Sequence, residues 1–225
     1  MTTLLFDIDG TLLMTHNSGS GALKRAMSEE FGLVSPDVDL DFGGRTDRSI
    51  LVELLTRNRI DPTPKNQERL SRRYVDLLPI VLVEHGGVLL PGVTDLLTRI
   101  GDFPEMQSYV MTGNLAQTAR MKLDHFQLGD FFIDVFGGDH DEHRNDLARR
   151  AARKLRDLHG KTDHDELIVI GDTVADIECG HAIGAKVIAV ATGSHVRERL
   201  EAAKPLAVVD DLSDADHLLQ ILNAR

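Results

Sequence analysis

Asp7 and Asp9 stand two residues apart at the end of an apolar run, in the stretch Leu4–Leu13 that reads LLFDIDGTLL. Like charges this close resist joint ionisation, and an unpaired buried charge is costly. The pair therefore calls for a metal ion, a phosphate or a shared proton. Other polar groups follow other apolar runs: Thr112-Gly113-Asn114, Arg144 beyond Gly137-Gly138, and Asp172-Thr173 with Asp176 four residues after Asp172. Brought together, they make a site of four carboxylates, a hydroxyl and a guanidinium. A carboxylate beside a hard divalent cation can attack phosphorus, because metal and cation draw charge from the phosphoryl oxygens. Oxygen ligands suit Mg²⁺. A second carboxyl group two residues along a strand points to the same side. Protonated, it can hand a proton to a leaving oxygen and afterwards take one from water. Asp7 is then the expected nucleophile and metal ligand, and Asp9 the acid and base. Asp172 and Asp176 are expected at the metal, Asp176 through water or by holding Arg144. An ordinary first-turn helix acid is the competing reading for Asp176. Thr112 and the backbone N–H groups of the following turn suit phosphate oxygens, and a simple helix cap is the alternative for Thr112.

The elements that must position these groups are legible as alternation. Short apolar runs at 4–6, 108–111, 131–136, 167–170, 187–191 and 206–209 suit strands buried on both faces. Helical patterns lie between them at 93–100, 115–126, 145–158, 174–183, 196–203 and 214–222. Pro91-Gly92 precedes the first, Asn114 is placed to cap the second, and Gly129, Gly160 and Gly184 follow others. The alternation predicts a doubly wound, mostly parallel α/β sheet. Residues 14–88 break it, with helical patterns at 22–31, 47–58 and 65–84 and no clear strand. The expected division is a core of 1–14 and 88–225 and a helical insert of 15–87. Two hinge strands near Leu13–Thr15 and Glu84–Leu89 would join them. Leaving from the carboxyl edge of the sheet, the insert would cover the site as a lid.

Within these elements Asp7-Ile8-Asp9-Gly10-Thr11, Thr112 and Gly171-Asp172-Thr173-Val174-Ala175-Asp176 resemble the signature motifs of the haloacid dehalogenase-like hydrolases. Nearly the whole chain is similar to the branch of phosphoglycolate phosphatase and β-phosphoglucomutase, with a Rossmann-like core and an α-helical cap domain after the first motif. The resemblance implies Mg²⁺, a covalent aspartyl-phosphate on Asp7 and hydrolysis of phosphate esters. It also implies that the backbone carbonyl of Asp9 joins Asp7 and Asp172 at the metal. One position departs from the pattern. The third motif usually supplies a lysine, and here Arg144 stands in that place in HDEHRNDLARRA, with Lys154 ten residues too late. Arginine keeps the charge and can pair bidentately, so it is expected to bridge Asp7 and the phosphoryl group. Gly10, Thr11, Gly113 and Asn114 are the expected substrate-contacting turn positions. The cap loop Gly43-Gly44-Arg45-Thr46-Asp47 offers Arg45 to the leaving group, an exposed loop arginine being the plain alternative.

Other suggestive stretches read more simply. Asp139–His143 fits no zinc spacing and reads as a solvated acidic loop. Asn17–Gly21 lacks the lysine and spacing of a phosphate-binding loop and reads as hinge and helix cap. Cys179 suits an inert position on a packed helix face, and Arg149, Arg150, Arg153 and Arg156 a solvated one.

Composition bounds the partners. The 225 residues carry a formal net charge of −11, which disfavours nucleic acid and anionic membranes. No basic and apolar leader and no membrane-length apolar run is apparent. A single cysteine suits a reducing cytoplasm. The expectation is a cytoplasmic phosphatase of a small phosphorylated metabolite, monomer or homodimer. The alternatives are a phosphosugar mutase of the same branch, a dehalogenase, or a non-catalytic binding protein on this scaffold.

Overall fold

The computed structural model describes residues 1–159 and 167–223. Its frame is a six-stranded sheet in the order β5-β4-β1-β6-β7-β8. The strands are β1 (Thr2–Phe6), β4 (Met106–Met111), β5 (Val135–Phe136), β6 (Leu167–Gly171), β7 (Lys186–Val190) and β8 (Ala207–Val209). Every pairing among them is parallel. Side chains alternate between the faces as the strand period requires. Leu4, Phe6, Val110, Ile168, Ile170, Ile188 and Val190 enter one apolar cluster, and Leu5, Tyr109, Met111, Leu167, Val169, Val187 and Ala189 the other. Helices α4 (Val93–Ile100), α5 (Ala116–His125) and α9 (Ala215–Asn223) cover the first face. Helices α6 (Arg144–His159), α7 (Val174–Ala182) and α8 (Arg197–Ala202) cover the second.

Between β1 and β4 the chain leaves the sheet. Helices α1 (Ser18–Phe31), α2 (Asp47–Arg57) and α3 (Pro64–His85) pack on one another through Ala22, Met27, Leu54, Leu70, Tyr74 and Leu78. Short antiparallel strands β2 (Leu13–Met14) and β3 (Val88–Leu89) flank this insert. β1 lies between β4 and β6, so the chain runs to one side of it and then to the other. That switch point opens a crevice at the carboxyl ends of β1, β4 and β6, the usual ligand position in open α/β sheets.

Three local expectations change. The apolar run at 131–136 pairs as a strand only at Val135 and Phe136, because a 3₁₀ turn (Gly129–Phe131) takes its start. Asn17 precedes α1 in a left-handed conformation without a side-chain cap bond. Asn114 does not cap α5 either: Leu115 N–H donates to Asp47 and Ala116 N–H to Asp139. Gly160, expected after α6, lies outside the described residues.

Candidate active site

Asp7 continues β1, its N–H donating to the Ile170 carbonyl of β6. The next turn is forced by Gly10 at φ +85°, where an added Cβ would lie 2.5 Å from an Asp172 carboxylate oxygen. The chain thus runs its backbone against a carboxylate, which only glycine permits here. Thr11 donates its hydroxyl to Asp172 Oδ1 at 3.1 Å. It is fully buried, so this hydroxyl orients a carboxylate instead of lining the crevice.

Asp172 follows β6 and Thr173 caps α7. Thr173 and Asp176 form a reciprocal capping box, with Asp176 Oδ2 accepting from the Thr173 N–H and hydroxyl. The other Asp176 oxygen accepts from Arg144 Nη2, which also donates to Asp7 Oδ1 at 3.0 Å. Arg144 opens α6 and is 8% exposed, so this ion-paired triad is removed from water. Burial works against the Arg144 charge, but Asp176 and Asp7 outweigh it and raise its pKa further. Nη1 lies on the side of Gly113: a Cβ built there would sit 3.1 Å from it. Arg144 Nε is buried with no hydrogen-bond partner. Cys179 packs behind, its thiol pushed up to about 12, chiefly by burial.

Oxygens of Asp7, Asp172 and Asp176 lie within 4.8 Å of one another. Burial, opposed by Arg144 and reinforced by Asp176 and Asp9, pushes the Asp7 carboxyl up to about 6. Asp172 is pushed well up by burial and then by Asp176 and Asp7. These carboxylates outnumber the single guanidinium among them. Their hard oxygens and uncompensated charge fit a small divalent cation.

The second carboxylate, Asp9, has a separate set of partners. Asn114 donates to Asp9 Oδ2 at 2.7 Å and to Thr112 Oγ1 at 2.9 Å. Lys122 on α5 reaches both Asp9 oxygens, at 2.8 and 2.6 Å. The sequence reading missed this lysine. Its signal was positional: Thr118, Ala119, Lys122 and Leu123 share the buried side of α5, where a lysine needs a partner.

The insert's 43–47 loop presses onto this edge of the sheet. Asp47 N–H donates to the Gly113 carbonyl at 2.7 Å, and Asp47 Oδ2 accepts from Leu115 N–H at 2.8 Å. Thr46 caps α2 and donates its hydroxyl to the Glu142 carbonyl. A Cβ on Gly113 would meet the Arg45 carbonyl oxygen at 1.8 Å, so only glycine allows this seating. Arg45 borders the crevice, but its guanidinium pairs with Glu53 at 2.6 Å. Beneath the insert lies a cavity of about 530 Å³, bordered by Asp7, Asp9, Thr112, Lys122 and Arg144 from the sheet side and Tyr74 from α3. Of the acidic loop, Asp139 caps α5 and Asp141 pairs with Arg150, while His140, Glu142 and His143 are exposed.

The sequence model of one family, described as haloacid dehalogenase-like hydrolase, matches residues 4–190. The chain belongs to the haloacid dehalogenase-like hydrolases. A pyrophosphatase PpaX of Bacillus mycoides is 27% identical over 236 residues, covering 99% of each chain. A phosphoglycolate phosphatase of Rhodospirillum rubrum is 27% identical over 221 residues, covering 93% of this chain and 87% of that one. Among solved structures, CbbY from Rhodobacter sphaeroides in complex with phosphate aligns with a TM-score of 0.71 at 19% identity, over 95% of this chain and 96% of that one. A predicted phosphatase from Clostridium acetobutylicum gives 0.72 at 20%, over 97% and 98%. These structural likenesses concern the haloacid dehalogenase-like fold. No helix among the described residues is long and apolar enough to cross a membrane.

Proposed function

We propose that this hydrolase is a Mg²⁺-dependent phosphatase of a small phosphomonoester, working in the cytoplasm through an aspartyl-phosphate on Asp7. The observation that carries the reading is the buried Asp7–Arg144–Asp176 triad beside Asp172, with Asp9 held separately at the mouth of the same crevice. One carboxylate is thereby kept for nucleophilic attack and another for proton transfer. The relatives named phosphatase and pyrophosphatase support phosphorus as the centre attacked.

In this mechanism an Asp7 oxygen attacks phosphorus, forming a P–O bond while the bond to the leaving oxygen breaks. Protonated Asp9 gives its proton to that oxygen. Water then attacks the phosphorus of the aspartyl-phosphate, Asp9 takes its proton, and the Asp7–phosphorus bond breaks to release phosphate. Thr112, the Gly113 and Asn114 turn and Arg144 hold the phosphoryl oxygens. Arg144 Nη2 keeps Asp7 aimed, leaving Nη1 for the phosphoryl group. Asp7, Asp172 and the Asp9 carbonyl are the residues that would hold Mg²⁺, which when bound draws charge from the phosphoryl oxygens. Asp176 serves by fixing Arg144, since its oxygens are already engaged with Thr173 and Arg144. The insert is the cap: it roofs the site and selects the leaving group, the role left to Arg45 if it parts from Glu53.

Phosphate release from a panel of small phosphomonoesters, with Mg²⁺ and with EDTA, tests this. Release that needs Mg²⁺ and disappears in Asp7→Asn supports it. Release that survives either EDTA or Asp7→Asn defeats it.

A further inference from the structure

Among the described residues Lys122 is the one buried lysine, at 3% exposure. Burying an ammonium costs several kcal/mol unless its donors are met. An ammonium has three donors, and three acceptors surround this one: Asp9 Oδ1 at 2.8 Å, Asp9 Oδ2 at 2.6 Å and Asn114 Oδ1 at 2.9 Å. Asn114 closes the ring by donating to Asp9 Oδ2 and to Thr112 Oγ1. The lysine stem is fixed by its helix, with Thr118, Ala119 and Leu123 buried around it. Asp9 itself is 39% exposed at its side chain, so without these donors it would be free to change rotamer toward the cavity.

We infer that Lys122 is a positioning residue for the acid–base carboxylate, acting through Asp9 and not on the phosphoryl group. The inference rests on Asp9 being the acid proposed above. A general acid must lie within hydrogen-bond reach of the leaving oxygen, and a misplacement of about 1 Å can cost about 100-fold. Lys122 and Asn114 hold the Asp9 carboxylate from two directions. Oδ2 accepts from both and Oδ1 from Lys122, so the carboxylate is held at both of its oxygens. Arg144 performs the matching service for the nucleophile. Each carboxylate thus has its own buried cation, delivered by a different helix.

The test uses leaving groups of different basicity. p-Nitrophenyl phosphate expels a stable phenolate and needs little proton donation, whereas alkyl phosphates need it fully. kcat/KM is measured with Mg²⁺ for both kinds of ester in the wild type, Asp9→Asn, Lys122→Met, Lys122→Arg and Asn114→Ala. This quantity covers steps only up to formation of the aspartyl-phosphate, so hydrolysis of that intermediate does not mask the effect. Lys122→Met is expected to lose about 10–100-fold on alkyl esters and under about 5-fold on p-nitrophenyl phosphate, with Lys122→Arg recovering part of the loss. Asn114→Ala should show the same graded pattern, which keeps the inference open to test if Lys122→Met folds poorly. An equal loss on every ester in both the Lys122→Met and Asn114→Ala variants, beside a graded loss in Asp9→Asn, overturns the positioning role and leaves the phosphatase reading standing. A flat Asp9→Asn profile removes Asp9 as the acid, and this inference with it.

Discussion

Arg144 shows how one side-chain exchange reshapes a site. A lysine offers one ammonium on a flexible stem, whereas the guanidinium is a planar fork of several donors. Here Nη2 is shared by Asp7 and Asp176, and Nη1 lies toward Gly113. Arg144→Lys should keep the fold and lose about 10–100-fold in kcat, since one ammonium must divide itself between the carboxylates and the phosphoryl group. Arg144→Ala should fall further, by about 10³-fold. It should also lose about 3–5 kcal/mol of stability, because it leaves buried carboxylates unpaired. Turnover and urea unfolding of both variants check this, and near-normal turnover of Arg144→Ala would sink the assignment. The sequence pointed to Arg144 by its place between the third strand run and a helix. Lys122 escaped because a lysine in a helical pattern reads as solvated. Only the tertiary placement of α5 against Asp9 turns it inward. Thr11 misled in the opposite direction: it lies beside the aspartates in sequence, yet its hydroxyl serves Asp172.

Helices and strands were more legible than their ends. Short continuous apolar runs and helical patterns of period 3.6 report burial, and burial sets where an element lies. Ends are decided by partners distant in sequence. α5 begins where Asp47 and Asp139 supply acceptors, neither of which is near it in the chain. Asp47 therefore joins α2 of the insert to α5 of the sheet layer, and this joint should respond to pH. Burial pushes its carboxyl up to about 6, against the pull of the Leu115 N–H and then Lys122, while Asp9 and Asp139 add to the rise. A carboxyl raised above its ordinary value holds its proton more tightly in the fold than in the unfolded chain. Its stabilising contribution is complete below about pH 4 and is lost as pH rises through about 6. Asp47→Asn keeps an oxygen for Leu115 N–H and removes that titration. Relative to this variant, the wild type should lose on the order of 2 kcal/mol between pH 4 and pH 6.5. Urea unfolding of both proteins across that range measures the difference, and parallel curves would show that Asp47 ionises freely in the fold.

At the scale of the molecule, the fold gathers charge where its own packing cannot neutralise it. The apolar clusters on the two faces of the sheet grip the strands, and the strand order then places Asp7 and Asp172 side by side. Close contacts tighten the arrangement: a Cβ on Gly193 would fall 1.6 Å from Asp172 Oδ2. In an acidic protein of net charge −11, this cluster lies inside a field that opposes its ionisation. Asp172 carries the strain most plainly, its pKa pushed well up by burial and by Asp176 and Asp7. The same sign argument applies: the stability that a raised carboxyl contributes at low pH declines as pH climbs above the ordinary carboxylate range and is lost as pH rises through its raised value. Asp172→Asn keeps the shape and the Thr11 hydrogen bond while removing one negative charge. In EDTA near pH 7.5 it should therefore melt above the wild type, by roughly 2–4 °C for each kcal/mol relieved. A cation bound to the cluster reverses the comparison. Mg²⁺ at about 100 times its dissociation constant should stabilise the wild type by about 2.7 kcal/mol and leave Asp172→Asn nearly unmoved. Thermal melts of both proteins with EDTA and with a Mg²⁺ series separate the two effects. A Mg²⁺ shift of equal size in both would move the metal away from Asp172, and an Asp172→Asn protein that melts below the wild type in EDTA would mean that the cluster is neutralised by the fold itself.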